Sequence, residues 1–188
     1  SFTYSDQLRD QTDPNDPVGT KVWFTDKGIE LRFKSDGSGG YTTPDGIFGT
    51  LTGSDVVGYT WTDKNGSTVV FNPMSDEVCT LAQMLDRYGN GVGVSYDGNG
   101  HIYQVNRVLA DNVATGDAAF SLTFTWTGEH ITEVADSTGR QWTYSYTSHS
   151  YDGTDYYRLS NAAGPSDAST LEAVTSYTYY DEDGNSAT

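Results

Sequence analysis

Asp-x-x-Gly recurs along this chain, at Asp63–Gly66, Asp86–Gly89, Asp97–Gly100, Asp136–Gly139 and Asp181–Gly184. Few short patterns constrain a fold more. The Asp carboxylate accepts backbone N–H groups of a type I turn, and the Gly takes the left-handed conformation that closes a hairpin. Strand-like runs flank these turns at Thr68–Phe71, Gly91–Tyr96, Ile102–Val105, Gln141–Tyr146 and Ser176–Tyr180. Several alternate with period two, as Trp142, Tyr144 and Tyr146 do, so one side of the strand faces in and the other out. Asp86 and Asp97 stand eleven residues apart, room for a strand of about five residues and its turns. Eleven beyond Asp136 comes Thr147, with Ser150 where Gly belongs, which predicts a degraded turn and an expanded loop over Ser148–Tyr156. Polar gaps at Ala110–Ala118 and Asn161–Ser169 read as surface loops between hairpins.

Composition agrees with stacked hairpins. Gly is abundant at 21, and the 13% aromatic content includes 14 tyrosines, residues that bury area while keeping a polar tip wet. The expected class is all-β. The aromatic richness also argues against disorder. Twenty-six acidic against 10 basic residues leave a net charge of −16, which repels phosphate backbones and anionic bilayers. Neither nucleic acid nor membrane insertion is expected, and no apolar run is long enough for a transmembrane helix. Cys79 is the lone cysteine, so no intramolecular disulfide forms, and its apolar neighbourhood predicts a buried thiol. The chain opens on Ser1 without Met or a signal peptide, which suggests a processed or excised piece.

Ser75–Gly89 carries two sets of signals. Ser75 as N-cap, Asp76 and Glu77 in a first turn, Gly89 as C-cap and a stripe of Val78, Leu81, Ala82 and Leu85 describe a helix. The alternative makes Thr80–Asp86 a strand feeding the Asp86–Gly89 turn, and the hairpin spacing favours it.

Catalytic and metal patterns are sparse. His101, His130 and His149 fall in expected turns or loops with no metal spacing, where a lone His is an ordinary solvated residue. No Gly-x-Ser-x-Gly elbow occurs, and the Gly37–Gly40 and Gly89–Gly93 clusters match no phosphate loop. Acidic residues are too many to single out a glycosidase pair. Asp181-Glu182-Asp183-Gly184-Asn185 is loosely like a Ca²⁺ loop, but its Gly is fourth where an EF-hand needs it sixth, so it reads as a turn. No cofactor and no catalytic residue are expected. Asp13–Gly19, with two prolines, reads as a linker, and Asn65-Gly66-Ser67 is a glycosylation sequon. Trp23, Trp61, Trp126 and Trp142 are more often packed than sugar-stacking.

Asp86-Arg87-Tyr88-Gly89-Asn90, Val94 through Ile102, Ile131 through Arg140 with Tyr144-Ser145-Tyr146, and Thr178 through Asn185 together resemble the YD repeat of RHS proteins. That unit runs Tyr-x-Tyr-Asp-x-x-Gly-Arg/Asn and then an apolar residue. Here Val94 and Thr178 replace the first Tyr, Thr147 an Asp, and His101 the Arg or Asn. The resemblance covers Tyr41–Asn185, with residues 1–40 as N-terminal strands or linker and 41–188 as the repeat region of one continuous domain. It implies an antiparallel hairpin meander forming an open, curved sheet, part of a β-shell like those of bacterial polymorphic toxins and teneurins. N-terminal strands would fold against it. The implied role is a non-catalytic structural module of a large secreted or cell-surface protein. Its partners would be the rest of the parent chain or a C-terminal cargo domain. A module that binds glycan or a surface protein through an aromatic sheet face is the alternative. Asp63, Gly66, Asp86, Gly89, Asp97, Gly100, Asp136, Gly139, Asp181 and Gly184 would then set turn geometry.

Overall fold

The computed structural model describes residues 6–10, 13–25, 27–110, 120–151, 154–166 and 173–180. The fold is all β and antiparallel, with no helix among the described residues, and the sheet is open rather than closed into a barrel. Two compact units divide it, residues 1–94 with 107–118, and residues 95–106 with 119–188.

In the first unit, β1 (Gln7–Asp10), β2 (Lys21–Phe24), β3 (Glu30–Ser35) and β4 (Tyr41–Thr42) form one meander. A second runs through β5 (Gly49–Ser54), β6 (Gly58–Asp63), β7 (Thr68–Phe71), β8 (Val78–Leu85) and β9 (Gly91–Tyr96). The two meet on β8, whose first residues pair with β1 (Leu8 opposite Cys79) while its last pair with β9 (Gln83 opposite Gly93). The period-two pattern supplies the core. Leu8, Trp23 and Phe33 come from one meander, and Leu51, Tyr59, Trp61 and Phe71 from the other, all buried. Trp23 meets Phe71 edge-on at 5.4 Å and Phe33 meets Trp61 at 5.2 Å, so the meanders pack as two layers.

Within Ser75–Gly89 the strand β8 runs Val78–Leu85 between two turns, and no helix forms. Cys79 and Leu81 point inward while Val78 and Thr80 do not, and ladder partners on both edges override the helical propensity. The supposed N-terminal turn of a helix is a two-residue hairpin turn, in which Asp76 (φ 49°) and Glu77 (φ 66°) are both left-handed and Ser75 and Val78 exchange backbone hydrogen bonds. The linker reading of Asp13–Gly19 also gives way. This segment is the β1–β2 connection, turning through Asp16 N–H to Asp13 C=O and Thr20 N–H to Pro17 C=O.

The second unit is a plain meander of β10 (Ile102–Val108), β11 (Ser121–Thr127), β12 (His130–Asp136), β13 (Gln141–Tyr151), β14 (Thr154–Ser166) and β15 (Val174–Ser176). Among its described residues only Asp136 is buried, as expected of one layer whose aromatic rings are half covered. His130 sits between Tyr146 and Tyr157, 4.8 and 4.9 Å from their rings. Three sequence expectations fail here. The loop expected over Ser148–Tyr156 gives way to strand on both sides of residues 152–153, which lie outside the described residues: β13 runs to Tyr151 and β14 starts at Thr154, with His149 opposite Tyr156. Of the loop expected at Asn161–Ser169, Asn161–Ser166 belongs to β14, paired to β13 on one edge and to β15 on the other, and residues 167–169 lie outside the described residues. The strand expected at Ser176–Tyr180 lies earlier, at Val174–Ser176. The Ala110–Ala118 gap falls largely outside the described residues.

Candidate functional site

One turn is built repeatedly. At Asp63, Asp86, Asp97 and Asp136 the carboxylate Oδ1 accepts two backbone N–H groups, those of the residues two and four positions on, at 2.7–3.0 Å. The Asp N–H donates to the C=O four residues on, and the N–H of Gly66, Gly89, Gly100 or Gly139 closes back on the Asp C=O. Each of these glycines has φ between 82° and 89°. Asp181 and Gly184 lie outside the described residues.

A fifth turn of this construction was missed in the sequence. Asp36 Oδ1 accepts the N–H groups of Ser38 and Gly40, and Gly39 has φ 95°. The signal was there, because Asp36-Gly37-Ser38-Gly39 is itself Asp-x-x-Gly. The same letters also occur at Asp16–Gly19 and Asp55–Gly58, yet there the carboxylates face cations instead. The middle pairs differ: Pro-Val and Val-Val there, against pairs with at least one polar residue or Gly in the turns.

Asp55 belongs to a buried polar cluster in the first unit. Lys21 Nζ, only 2% exposed, lies 2.5 Å from Asp10 and 2.6 Å from Asp55, and the Tyr59 hydroxyl donates to Asp55 at 2.9 Å. Burial disfavours the ammonium, but hydrogen bonds to both carboxylates outweigh it and leave the lysine held charged more firmly than usual. No sequence pattern marked this cluster. Cys79 is fully buried beside it, and burial pushes its thiol up to about 11, which keeps it unreactive.

Arg140 and His101 occupy equivalent places, four residues after Asp136 and Asp97. Arg140 Nε and its terminal nitrogen bind Asp136 Oδ2 at 2.7 and 2.6 Å, with the guanidinium 5.6 Å from the Trp142 ring. The Thr138 hydroxyl, the backbone N–H groups and Arg140 hold the Asp136 carboxyl down at about 2. His101 instead stacks on Trp126, ring centroids 4.5 Å apart at 15°. It is no solvated loop histidine, because its side chain is only 14% exposed. Its Nε2 lies 3.3 Å from Glu129, while Nδ1, 3.5 Å from Asp97 Oδ2, is buried without a hydrogen-bond partner.

Asp97, His101, Trp126 and Glu129 border a hollow of about 650 Å³ between the β9–β10 turn and the β11–β12 turn, with Asn99 and Phe124 in its wall. It is acidic and aromatic. Asp97 and Glu129 address opposite nitrogens of one ring, so they do not converge on a single ion, and no metal-binding group of three His, Cys, Asp or Glu exists among the described residues. No protein-family model matches this sequence, and no curated protein does. The chemistry therefore rests on the residues themselves. The hollow offers carboxylate acceptors beside ring faces, which suits binding. It offers no nucleophile paired with a base.

Proposed function

We propose that the chain is a non-catalytic structural module, a run of YD-type hairpins in a large secreted or cell-surface protein of the RHS kind. The observation that carries this reading is the repetition of one turn, with the carboxylates of Asp36, Asp63, Asp86, Asp97 and Asp136 each closing its own hairpin. Side chains that would otherwise be the obvious acids and bases are thus engaged in geometry. The partners are the remainder of the parent chain or a C-terminal cargo domain, and the setting is extracellular. The native polypeptide carrying this segment tests the idea by gel and intact mass. The reading expects a product far larger than 20.5 kDa. A cleaved but co-purifying C-terminal piece would mark a shell with cargo, and an uncleaved chain a surface stalk. A native product of 20.5 kDa would overturn it.

A second reading, a module that binds glycan or a surface protein, is favoured by the exposed Tyr156, Tyr157, Tyr177, Tyr179 and Tyr180 of the second unit. A glycan array probed with the wild-type chain and with Tyr156→Ser/Tyr157→Ser tests it. A hit lost in the variant supports surface recognition, and no hit leaves the scaffold ahead.

A further inference from the structure

Alternate residues of three neighbouring segments meet on one side of the second unit. Thr147 and His149 come from β13, Arg158 and Ser160 from β14, and Tyr177 and Tyr179 from the segment that follows β15. Thr147 stands opposite Arg158 in the ladder, and the Tyr177 N–H donates to the Ser160 C=O at 2.9 Å, which fixes the register of all three. Together they line a hollow of about 110 Å³. Its chemistry runs against the rest of the chain. Acidic residues outnumber Lys and Arg by 26 to 10, yet none of the described residues lining this hollow is Asp or Glu. Asp155 is three residues from Arg158 and so falls on the other side of β14, where the Ser150 hydroxyl donates to it. Arg158 is half-buried and makes no ion pair among the described residues, and its guanidinium carbon lies 5.4 Å from the Tyr179 ring.

We propose, resting on the second reading of this chain as a glycan-binding module, that the hollow takes the carboxylate of an acidic saccharide, a uronic acid unit carrying one negative charge. Arg158 supplies the planar fork that matches a carboxylate, which an ammonium does not. The hydroxyls of Thr147, Ser160 and Tyr177 donate to the lone pairs that the fork leaves open, and the exposed rings of Tyr177 and Tyr179 offer their faces to the sugar. Size limits what enters. Pockets that enclose a whole small ligand measure roughly 300–1,000 Å³, so this one seats the charged group and leaves the rest of the saccharide on the surface. Net charge sets a second limit. A chain of −16 repels a polyanion, whereas a single charge is felt only within about 8 Å at physiological salt, where Arg158 is the near neighbour.

Methyl glucuronide and methyl glucoside differ only at that carboxylate. Each is titrated into the intact chain while the NMR signals of the Arg158 Nε–H and the Tyr177 and Tyr179 backbone N–H groups are followed. Saturable shifts with the glucuronide are expected, about five- to tenfold tighter than with the glucoside and weakening as salt rises. Acetate, which lacks the ring, should bind more weakly than the glucuronide. Arg158→Gln removes no ion pair from the fold and should bring the glucuronide down to the level of the glucoside. Equal or tighter binding of the glucoside would overturn the carboxylate assignment while leaving a glycan-binding module in place. Acetate as tight as the glucuronide would overturn the saccharide, and undiminished glucuronide binding in a folded Arg158→Gln protein would overturn the site. No shift with either sugar would also overturn it, and the array then decides the second reading separately.

Discussion

An aspartate that accepts two N–H groups of its own turn is stabilised as the anion, and this links folding to pH. The carboxyls of Asp36, Asp63, Asp86, Asp97 and Asp136 all lie below their ordinary value of 3.8. For Asp36 the Ser38 N–H is the main cause, for Asp63 that of Ser67 and for Asp86 that of Asn90. At Asp97 partial desolvation opposes the shift, and the His101 and Asn99 N–H groups overcome it. Because the folded values are depressed, their contribution is complete above 3.8 and fades as pH falls through them, down to about 2 for Asp136. Urea midpoints from pH 7 to pH 2 should therefore hold steady and then decline below about pH 4. Asp136→Asn should flatten the lowest part of that decline, and an unchanged profile would reject the assignment. The paired glycines act through backbone alone. Gly100 has φ 84° and nothing near the site of a Cβ, so Gly100→Val should cost about 1–2 kcal/mol in thermal unfolding while Gly100→Asn costs far less. An equal loss from both would point to packing instead.

At the scale of the element, hairpin turns were the most legible feature and strand ends the least. A turn is written in four adjacent residues, so Asp63, Asp86, Asp97 and Asp136 could be placed from sequence. Where a strand stops depends on what pairs with it, and Ser148–Tyr156 looked like loop only because its partner, the next strand of the same hairpin, was not recognised. The Asp76–Glu77 turn is a local conflict of another kind. Two non-glycine residues stand in left-handed conformation where a two-residue hairpin favours Asn-Gly, so acidic residues suited to a helix start concealed it. Glu77→Gly should raise stability by about 0.5–1 kcal/mol, read as a higher urea midpoint with unchanged slope. A lower midpoint would show that the Glu77 side chain contributes contacts worth more than the strain.

Across the whole molecule, buried apolar side chains gather in the first unit, where Lys21 is also buried with Asp10 and Asp55. This cluster and the His101–Trp126 stacking were invisible in the sequence because their members lie on different turns and strands. Asp10 and Asp55 are half exposed whereas Lys21 is not, so the outcome of mutation is asymmetric. Lys21→Met, which replaces the ion by a hydrophobe of similar length, should change stability by less than about 1 kcal/mol. Asp10→Ala/Asp55→Ala strands the ammonium and should cost about 3 kcal/mol or more by chemical denaturation. Comparable losses in both would mean that the charge interactions themselves hold the two layers.

The junction on β8 also sets an order of events. The turns of the β5–β9 meander close between neighbours, whereas Leu8 must find Cys79 across about 70 intervening residues. Non-local pairing of this kind is slow, on the order of milliseconds to seconds. The N-terminal strands should therefore dock onto a meander already formed, and Leu8→Ala should accelerate unfolding several-fold while hardly changing the refolding rate. A chain emerging from the ribosome would hold β1 idle until β8 had been made. A stopped-flow refolding limb slowed as much as the unfolding limb is accelerated would instead place Leu8 in the nucleus.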